Sequence, residues 1–242
     1  MSIIIFTGLP GAGKSYKLAR TAIDMLYRNK RFYERQLARY ERGDIDTPPV
    51  LRPLVSNLRF SDEVVAEFPG QIFYWKDTAE LISMRDVDVL WDEIAVDLDA
   101  THWANMSLEL KRWLQQHRKR GVDIYGTAQD FAQIDKSMRR LCSDLVYLKK
   151  LIGSGDKSAT RPEVEYVWGI IFSRSLDPVA YDESKSKQQA GVQGMSFMWL
   201  SRKLVDVFDT TQEIEAGKYP PMRHIERDCE VPNCPFHKVM HV

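Results

Sequence analysis

Gly8–Ser15 reads GLPGAGKS, and no other stretch constrains the fold as strongly. It has the form G-x-x-x-x-G-K-S. Glycines let backbone N–H groups turn inward around an anion. The preceding Ile3–Thr7 is short, apolar and β-branched, and reads as a buried strand. The following segment, from Lys14 to about Tyr40, reads as a helix with Leu18, Ala22, Met25 and Leu26 on one stripe. Strand, glycine-rich loop and helix in that order form the context of a triphosphate-binding loop. Gly8, Leu9, Pro10, Gly11, Ala12, Gly13, Lys14, Ser15 and Tyr16 are the expected nucleotide frame. Lys14 is expected to reach the β- and γ-phosphates, and Ser15 to place its hydroxyl on Mg²⁺. The loop alone does not choose between ATP and GTP.

The rest of the chain alternates in the same way. Leu54–Leu58, Gln71–Trp75, Val87–Trp91, Val122–Thr127 and Leu145–Lys149 read as strands. Gly43–Pro53 reads as a loop. A helical pattern runs from Trp103 to Gly121, and another covers Phe131–Leu141. Alternation of this kind predicts an α/β fold with a mostly parallel sheet covered on both faces. Glu163–Phe172 and Met195–Leu200 read as two further strands, joined by a polar loop over Ser173–Gly194. They predict an antiparallel edge. The six tryptophans lie mostly in strand or helix patterns and are expected in the core.

Val87–Glu93 is VDVLWDE, a hydrophobic strand that ends in two acids. Beside a phosphate loop, Asp92 is expected to hold magnesium and Glu93 to deprotonate the attacking water. The next predicted strand ends in Thr127 and Gln129, which places Gln129 to sense or polarise that water. Arg118, Lys119 and Arg120 stand just before this strand, and Arg139 and Arg140 after it. One of the arginines at 118, 120, 139 and 140 is expected to reach a neighbouring subunit's nucleotide. The others are expected to meet solvent or nucleic-acid phosphates.

Lys+Arg and Asp+Glu both number 34, so the formal net charge is zero. That excludes a wholly basic coat but leaves local patches. One such patch is LELKRWLQQHRKRG, Leu108–Gly121, and Arg28–Arg42 is also rich in arginine. No apolar run is long enough for a transmembrane span. The start MSIIIFTG lacks the basic region of a secretory signal. The odd cysteine count, Cys142, Cys229 and Cys234, does not read as a disulfide scaffold. A reducing cytoplasmic setting is the expectation.

The opening IIIFTGLPGAGKS, the VLWDE strand and LQQHRKRGVDIYGTAQDFAQIDKSMRRLCSDLVY resemble the zonula occludens toxin-like family of filamentous-phage assembly ATPases. In that family a basic pair, His117–Arg118 here, precedes the strand that ends in Thr and Gln. VFDTTQEI, Val207–Ile214, resembles its closing segment, so the likeness runs over roughly residues 1–215. The resemblance implies a RecA-like core and ATP-driven movement of viral or plasmid-like DNA by a homo-oligomeric ring. A capsid, portal or membrane partner would then recruit the motor to a virion vertex or the inner membrane. By position it assigns nucleotide binding to Lys14 and Ser15, magnesium and hydrolysis to Asp92 and Glu93, and sensing to Gln129. Typical members continue into a transmembrane helix. None is read here, so a motor without its own membrane span is expected. Two other functions fit the motifs. A nucleotide-dependent assembly factor would bind ATP with little turnover, and a P-loop small-molecule kinase would phosphorylate an acceptor other than water.

Residues 1–217 are expected to form the ATPase domain and 218–242 a short tail. The tail holds Cys229, Cys234, His237 and His241 in C-x4-C-x2-H-x3-H spacing. Thiolates and imidazoles suit tetrahedral Zn²⁺, and a polar tail with little core would gain folding energy from it. The central gap is short for a zinc finger, His224 is an alternative ligand, and an unliganded surface tail is the competing reading. The zinc reading predicts close to one Zn²⁺ per chain in elemental analysis. Cys234→Ser should lose that zinc with nucleotide affinity unchanged. Protein free of zinc after Zn²⁺ is added back under reducing conditions would refute it.

Overall fold

The computed structural model describes residues 1–99, 106–154, 168–183 and 191–209. Ten strands and eight α-helices are assigned among them. β1 (Ile3–Thr7) leads through the glycine loop into α1 (Lys14–Glu41). β2 (Leu54–Ser56), β3 (Arg59–Phe60), α2 (Asp62–Glu67), β4 (Ile72–Tyr74) and α3 (Thr78–Leu81) follow. Next come β5 (Asp88–Trp91), α4 (Ile94–Asp97), α5 (Leu108–Gln115) and β6 (Asp123–Ala128). A 3₁₀ turn at Phe131–Gln133 and α6 (Lys136–Arg139) lead to β7 (Asp144–Ser154). β8 (Trp168–Leu176), α7 (Pro178–Glu183), β9 (Val192–Trp199), α8 (Arg202–Val205) and β10 (Phe208–Asp209) complete the order.

Eight strands form one sheet in the order β4-β2-β5-β6-β1-β7-β8-β9. From β4 to β7 all pairings are parallel. β7 to β8 and β8 to β9 are antiparallel. This is the expected α/β sheet with an antiparallel edge. β3 and β10 form a separate two-stranded antiparallel sheet.

The parallel strands are apolar throughout because both of their faces are covered. Ile3, Ile5, Val89, Trp91 and Ile124 feed the core cluster on one face, with Trp113 and Phe131 packed over them. Phe6, Leu54, Leu90 and Leu148 feed the other, under Leu18, Ala22, Met25 and Leu26 of α1. α1 runs for 28 residues, about 42 Å at the helical rise. Its buried positions stop at Asn29, so the second half of the helix is not held by the core. Cys142 is buried in the first cluster, and burial pushes its thiol up to about 12. It is a packing residue.

Several sequence expectations need revision. Ser173–Gly194 is not one loop. β8 continues to Leu176, α7 follows, and β9 begins at Val192. Ser173, Arg174 and Ser175 give β8 a polar end that conceals strand alternation, on an edge that needs only one buried face. Phe131–Leu141 is a 3₁₀ turn plus one short helix, each capped by an aspartate, Asp130 or Asp135. Both Asp side chains satisfy local N–H groups and restart the chain direction. Trp75, Trp91 and Trp113 are buried as expected, but Trp199 is 70% exposed. The expected boundary at 217/218 lies outside the described residues.

A buried charge sits at the N-terminal end of the parallel strands. Asp88 is fully buried. It accepts hydrogen bonds from Arg52 Nε at 2.9 Å and Asn29 Nδ2 at 2.7 Å. Arg52 also pairs with Asp123 at 3.0 Å. Removing one partner of a buried ion pair leaves the other desolvated, which costs about 3 kcal/mol or more. Asp88→Ala should therefore lower the unfolding free energy by roughly that amount, read in urea as a lower midpoint with an unchanged slope. Asp44→Ala, at the exposed Arg42–Asp44 pair, should stay within roughly 0.5 kcal/mol of the parent.

Candidate nucleotide site

The phosphate loop is shaped by its glycines. Gly8 has φ +152° and Gly13 φ +94°. A Cβ on Gly8 would stand 2.5 Å from the Leu148 carbonyl oxygen of β7, so the loop can pass this close only as glycine. At Gly13 a Cβ would meet the Ile171 side chain of β8. The Gly13 carbonyl then accepts the Lys17 N–H at 2.9 Å and α1 begins. No acid occupies the first turn of α1, so its positive pole is not neutralised by the helix itself. Lys14 Nζ donates to the carbonyls of Gly8 at 2.9 Å and Leu9 at 3.2 Å, which holds the ammonium over the loop. Burial lowers its pKa, and Asp92 and Glu93 pull it partly back.

The acidic pair follows β5. Asp92 is clamped along its backbone by Asn57, at the end of β2. The Asp92 N–H donates to Asn57 Oδ1 at 2.8 Å, and Asn57 Nδ2 donates to the Asp92 carbonyl at 3.0 Å. Thr127, near the end of β6, binds both acids. Its hydroxyl donates to Asp92 Oδ1 at 2.5 Å and accepts the Glu93 N–H at 2.8 Å. Burial raises the Asp92 pKa. The Thr127 bond opposes that rise and the neighbouring Glu93 adds to it. Glu93 is exposed and has φ +52°, a left-handed conformation that costs energy for a residue with a Cβ. It caps α4 without a side-chain hydrogen bond.

The register brings these groups together. Thr7 pairs with Ala128 and Trp91 with Gly126, so β1, β6 and β5 end at one level. Gln129 stands one residue beyond β6, exposed, with its carbonyl accepting the Thr7 hydroxyl at 3.3 Å. Gly11, Gly13, Lys14, Ser15 and Asp92 line a cavity of about 320 Å³. Ile171, Leu200, Leu204 and Phe208 add apolar walls to it. Tyr16 lines it too, but the Tyr16 hydroxyl is spent on structure. It donates to the Trp199 carbonyl and accepts the Ser201 N–H, both at 2.8 Å.

The other expected residues stand elsewhere. Arg118 and Arg120 precede β6, at the opposite end of the sheet from the phosphate loop. Arg120 donates to the Ile82 carbonyl at 2.9 Å, and Arg118 is exposed. Arg139 is paired with Asp182 of α7 and lies over the Phe131 ring. Arg140 is exposed. It is close in sequence to Ser143, whose N–H bonds the Ile3 carbonyl at the start of β1. None of the four stands at its own phosphate loop. His117 is buried, with Nδ1 2.8 Å from the Leu114 carbonyl, and burial lowers its pKa. It packs rather than reacts. Cys229, Cys234, His237 and His241 lie outside the described residues. Among the described residues no Cys/His/Asp/Glu group could hold a metal by itself.

Sequence reasoning missed Asn57 and Lys150. Lys150 lines the cavity from β7. An Asn just after a buried strand was a usable signal, since such a residue needs a polar partner. Lys150 carried none, because its position depends on how far β7 overhangs the loop.

Residues 2–166 match the zonular occludens toxin (Zot) family. No functionally curated protein matches the chain significantly. Among solved structures, the chain is similar to the N-terminal domain of zonular occludens toxin from Neisseria meningitidis. That likeness has 19% identity, covers 86% of this chain and 98% of that one, and has a TM-score of 0.49. The genome packaging NTPase B204 from Sulfolobus turreted icosahedral virus 2, in complex with ATP-gammaS, is similar at 9% identity. There the coverage is 81% and 95%, with a TM-score of 0.44. The flagellar accessory protein FlaH from Methanocaldococcus jannaschii is similar at 14% identity, 72% and 76% coverage and a TM-score of 0.37. These likenesses are distant, and the assignment rests on the sequence family. The family match ends before Val207–Ile214, short of the segment expected to close it, yet it spans more than half of the chain. The chain belongs to the zonular occludens toxin family.

Proposed function

We propose that this chain is an ATPase that couples hydrolysis to the movement of DNA, in packaging or export of a viral genome. One observation carries the hydrolytic part. The phosphate loop, the Asp92–Glu93 pair, Thr127 and Gln129 converge at the ends of three adjacent parallel strands. Water is the acceptor this arrangement favours, because an exposed carboxylate, Glu93, and an exposed amide, Gln129, follow the ends of β5 and β6. The DNA part rests on the family resemblance.

In this reading the N–H groups of the loop and Lys14 bind the β- and γ-phosphates. Mg²⁺ fits the donor set, since the Ser15 hydroxyl and the Asp92 carboxylate are hard oxygen ligands on one cavity wall. The raised pKa of Asp92 supports the fit, because a cation offsets the burial of its charge. When bound, Mg²⁺ would be held by Ser15 and Asp92 and would neutralise charge that develops on the phosphates. Thr127 keeps Asp92 facing this point. Glu93 accepts the proton of the attacking water, and Gln129 orients that water. The water oxygen bonds to the γ-phosphorus, the bond from that phosphorus to the β–γ bridging oxygen breaks, and ADP and phosphate leave. The arginines Arg118, Arg120, Arg139 and Arg140 are too far from their own loop to take part within one chain. A homo-oligomer is the arrangement in which one of them reaches a nucleotide. Among the described residues no helix is long and apolar enough to cross a membrane.

Glu93→Gln keeps shape and removes the base. It should bind ATP as the parent does and lose at least about 100-fold in turnover, measured as phosphate release. Parent-like turnover would sink the role of Glu93. Lys14→Ala removes the ammonium from the loop. Equilibrium binding of a nonhydrolysable ATP analogue should weaken and turnover should stop, and unchanged affinity with unchanged rate would exclude Lys14 from the site.

A further inference from the structure

The antiparallel wing of β7, β8 and β9 has two unlike faces. Ile171, Ser173 and Met198 are buried against the side that carries α1. The residues between them point the other way. On β9, Met195 is 61% exposed, Phe197 63% and Trp199 70%. Cross-strand pairing places Phe172 opposite Phe197, Arg174 opposite Met195 and Lys149 opposite Phe172. The Phe172 and Phe197 rings are 5.3 Å apart, and the Arg174 guanidinium lies 5.8 Å over the Phe172 ring.

We propose that this face is a stacking platform for single-stranded nucleic acid. Phe197 and Trp199 stand on alternate residues of one strand, about 6.8 Å apart at the antiparallel rise. That spacing presents separate ring faces to successive unstacked bases, and a π-face accepts any base. Arg174 and Lys149 supply positive charge beside the rings, and none of the six residues is acidic, so the face complements a phosphodiester strand. A duplex hides its base faces and gains nothing from exposed rings. The proposal rests on the DNA-moving reading above and assigns to it a binding surface and a strand form.

The platform is one sheet thickness from the nucleotide. Ile171 walls the cavity while Phe172, the next residue, faces the platform. Lys150 and Lys149 divide in the same way. The Trp199 carbonyl accepts the Tyr16 hydroxyl from the first turns of α1. A shift of the loop on phosphate binding is thereby passed to the strand that holds the rings.

The test is fluorescence anisotropy of labelled oligothymidylate and of a duplex of equal length, with and without a nonhydrolysable ATP analogue. The parent should prefer the oligothymidylate. Phe197→Ala and Trp199→Ala should each weaken it about 10-fold, the scale of one lost base–ring stack. Trp199→Phe keeps a ring. It should retain affinity and lose most of the tryptophan quenching that binding produces, a signal that misfolding does not mimic. Thermal melts by circular dichroism accompany every variant. Equal affinity of parent and alanine variants would overturn the platform but leave the DNA-moving reading intact, because DNA would then bind elsewhere. A parent that binds neither oligothymidylate nor duplex would overturn both. Alanine variants that change the oligomer mass while oligothymidylate affinity holds would make this face a contact between copies of the chain and overturn the platform.

Discussion

The parallel pairing of β5, β6 and β1 is the constraint on which everything else depends. Their C-terminal ends reach one level, and the chain leaves each strand through a glycine or a polar residue. Gly8 follows β1, Asp92 follows β5, and Gln129 follows β6. The Thr127 hydroxyl then ties the acidic turn to the central strand by bonding Asp92 and Glu93 at once. A one-residue slip between β5 and β6 would put every side chain of β5 on the wrong face and carry Asp92 out of reach of Thr127. Apolar burial on both faces prevents the slip. Val89 and Trp91 belong to one core cluster and Leu90 to the other.

The two ends of the sheet handle charge differently. At the N-terminal end, Asp88 is neutralised within the chain by Arg52 and hydrogen-bonded by Asn29, so its burial is already offset. At the C-terminal end, the Asp92 carboxylate accepts from the Thr127 hydroxyl and is drawn by Lys14, yet burial still raises its pKa. A carboxylate left in that condition is an expected feature of a site that takes a cation with its ligand. The left-handed backbone of Glu93 belongs to the same pattern, since such strain persists where surrounding bonds fix it. Here the Thr127 hydroxyl and the α4 turn do so.

The legible parts of the sequence were those in which local chemistry and position coincide. The glycine loop shows in eight consecutive residues. Asp92 and Glu93 show because a hydrophobic run stops at them. The parallel core shows because strands buried on both faces are apolar without interruption. The antiparallel wing was harder to read. β9 alternates a buried Met198 with an exposed Phe197 and Trp199, and aromatic residues look like core wherever they fall. The short helices α2, α3, α4 and α8 were too brief for a 3.6-residue period to emerge. The arginines were equally opaque, because an isolated Arg reads the same whether it is exposed, as Arg118 is, or paired to an aspartate on another element, as Arg139 is.

By itself, the sequence determined that Gly8–Ser15 is a glycine loop between a strand and a helix, that an acidic pair ends a buried strand, and that the sheet is mainly parallel. These follow from backbone sterics at glycine and from the burial of apolar strands, both of which act over a few residues. Only the tertiary structure decided which groups meet. It chose Asn57 as the clamp on Asp92, Thr127 as the link between the acids, Lys150 as a wall of the cavity, and Trp199 as a surface ring rather than a core one. Those choices depend on strand order, register and the overhang of β7. These are long-range pairings, whose geometry no local spacing along the chain encodes.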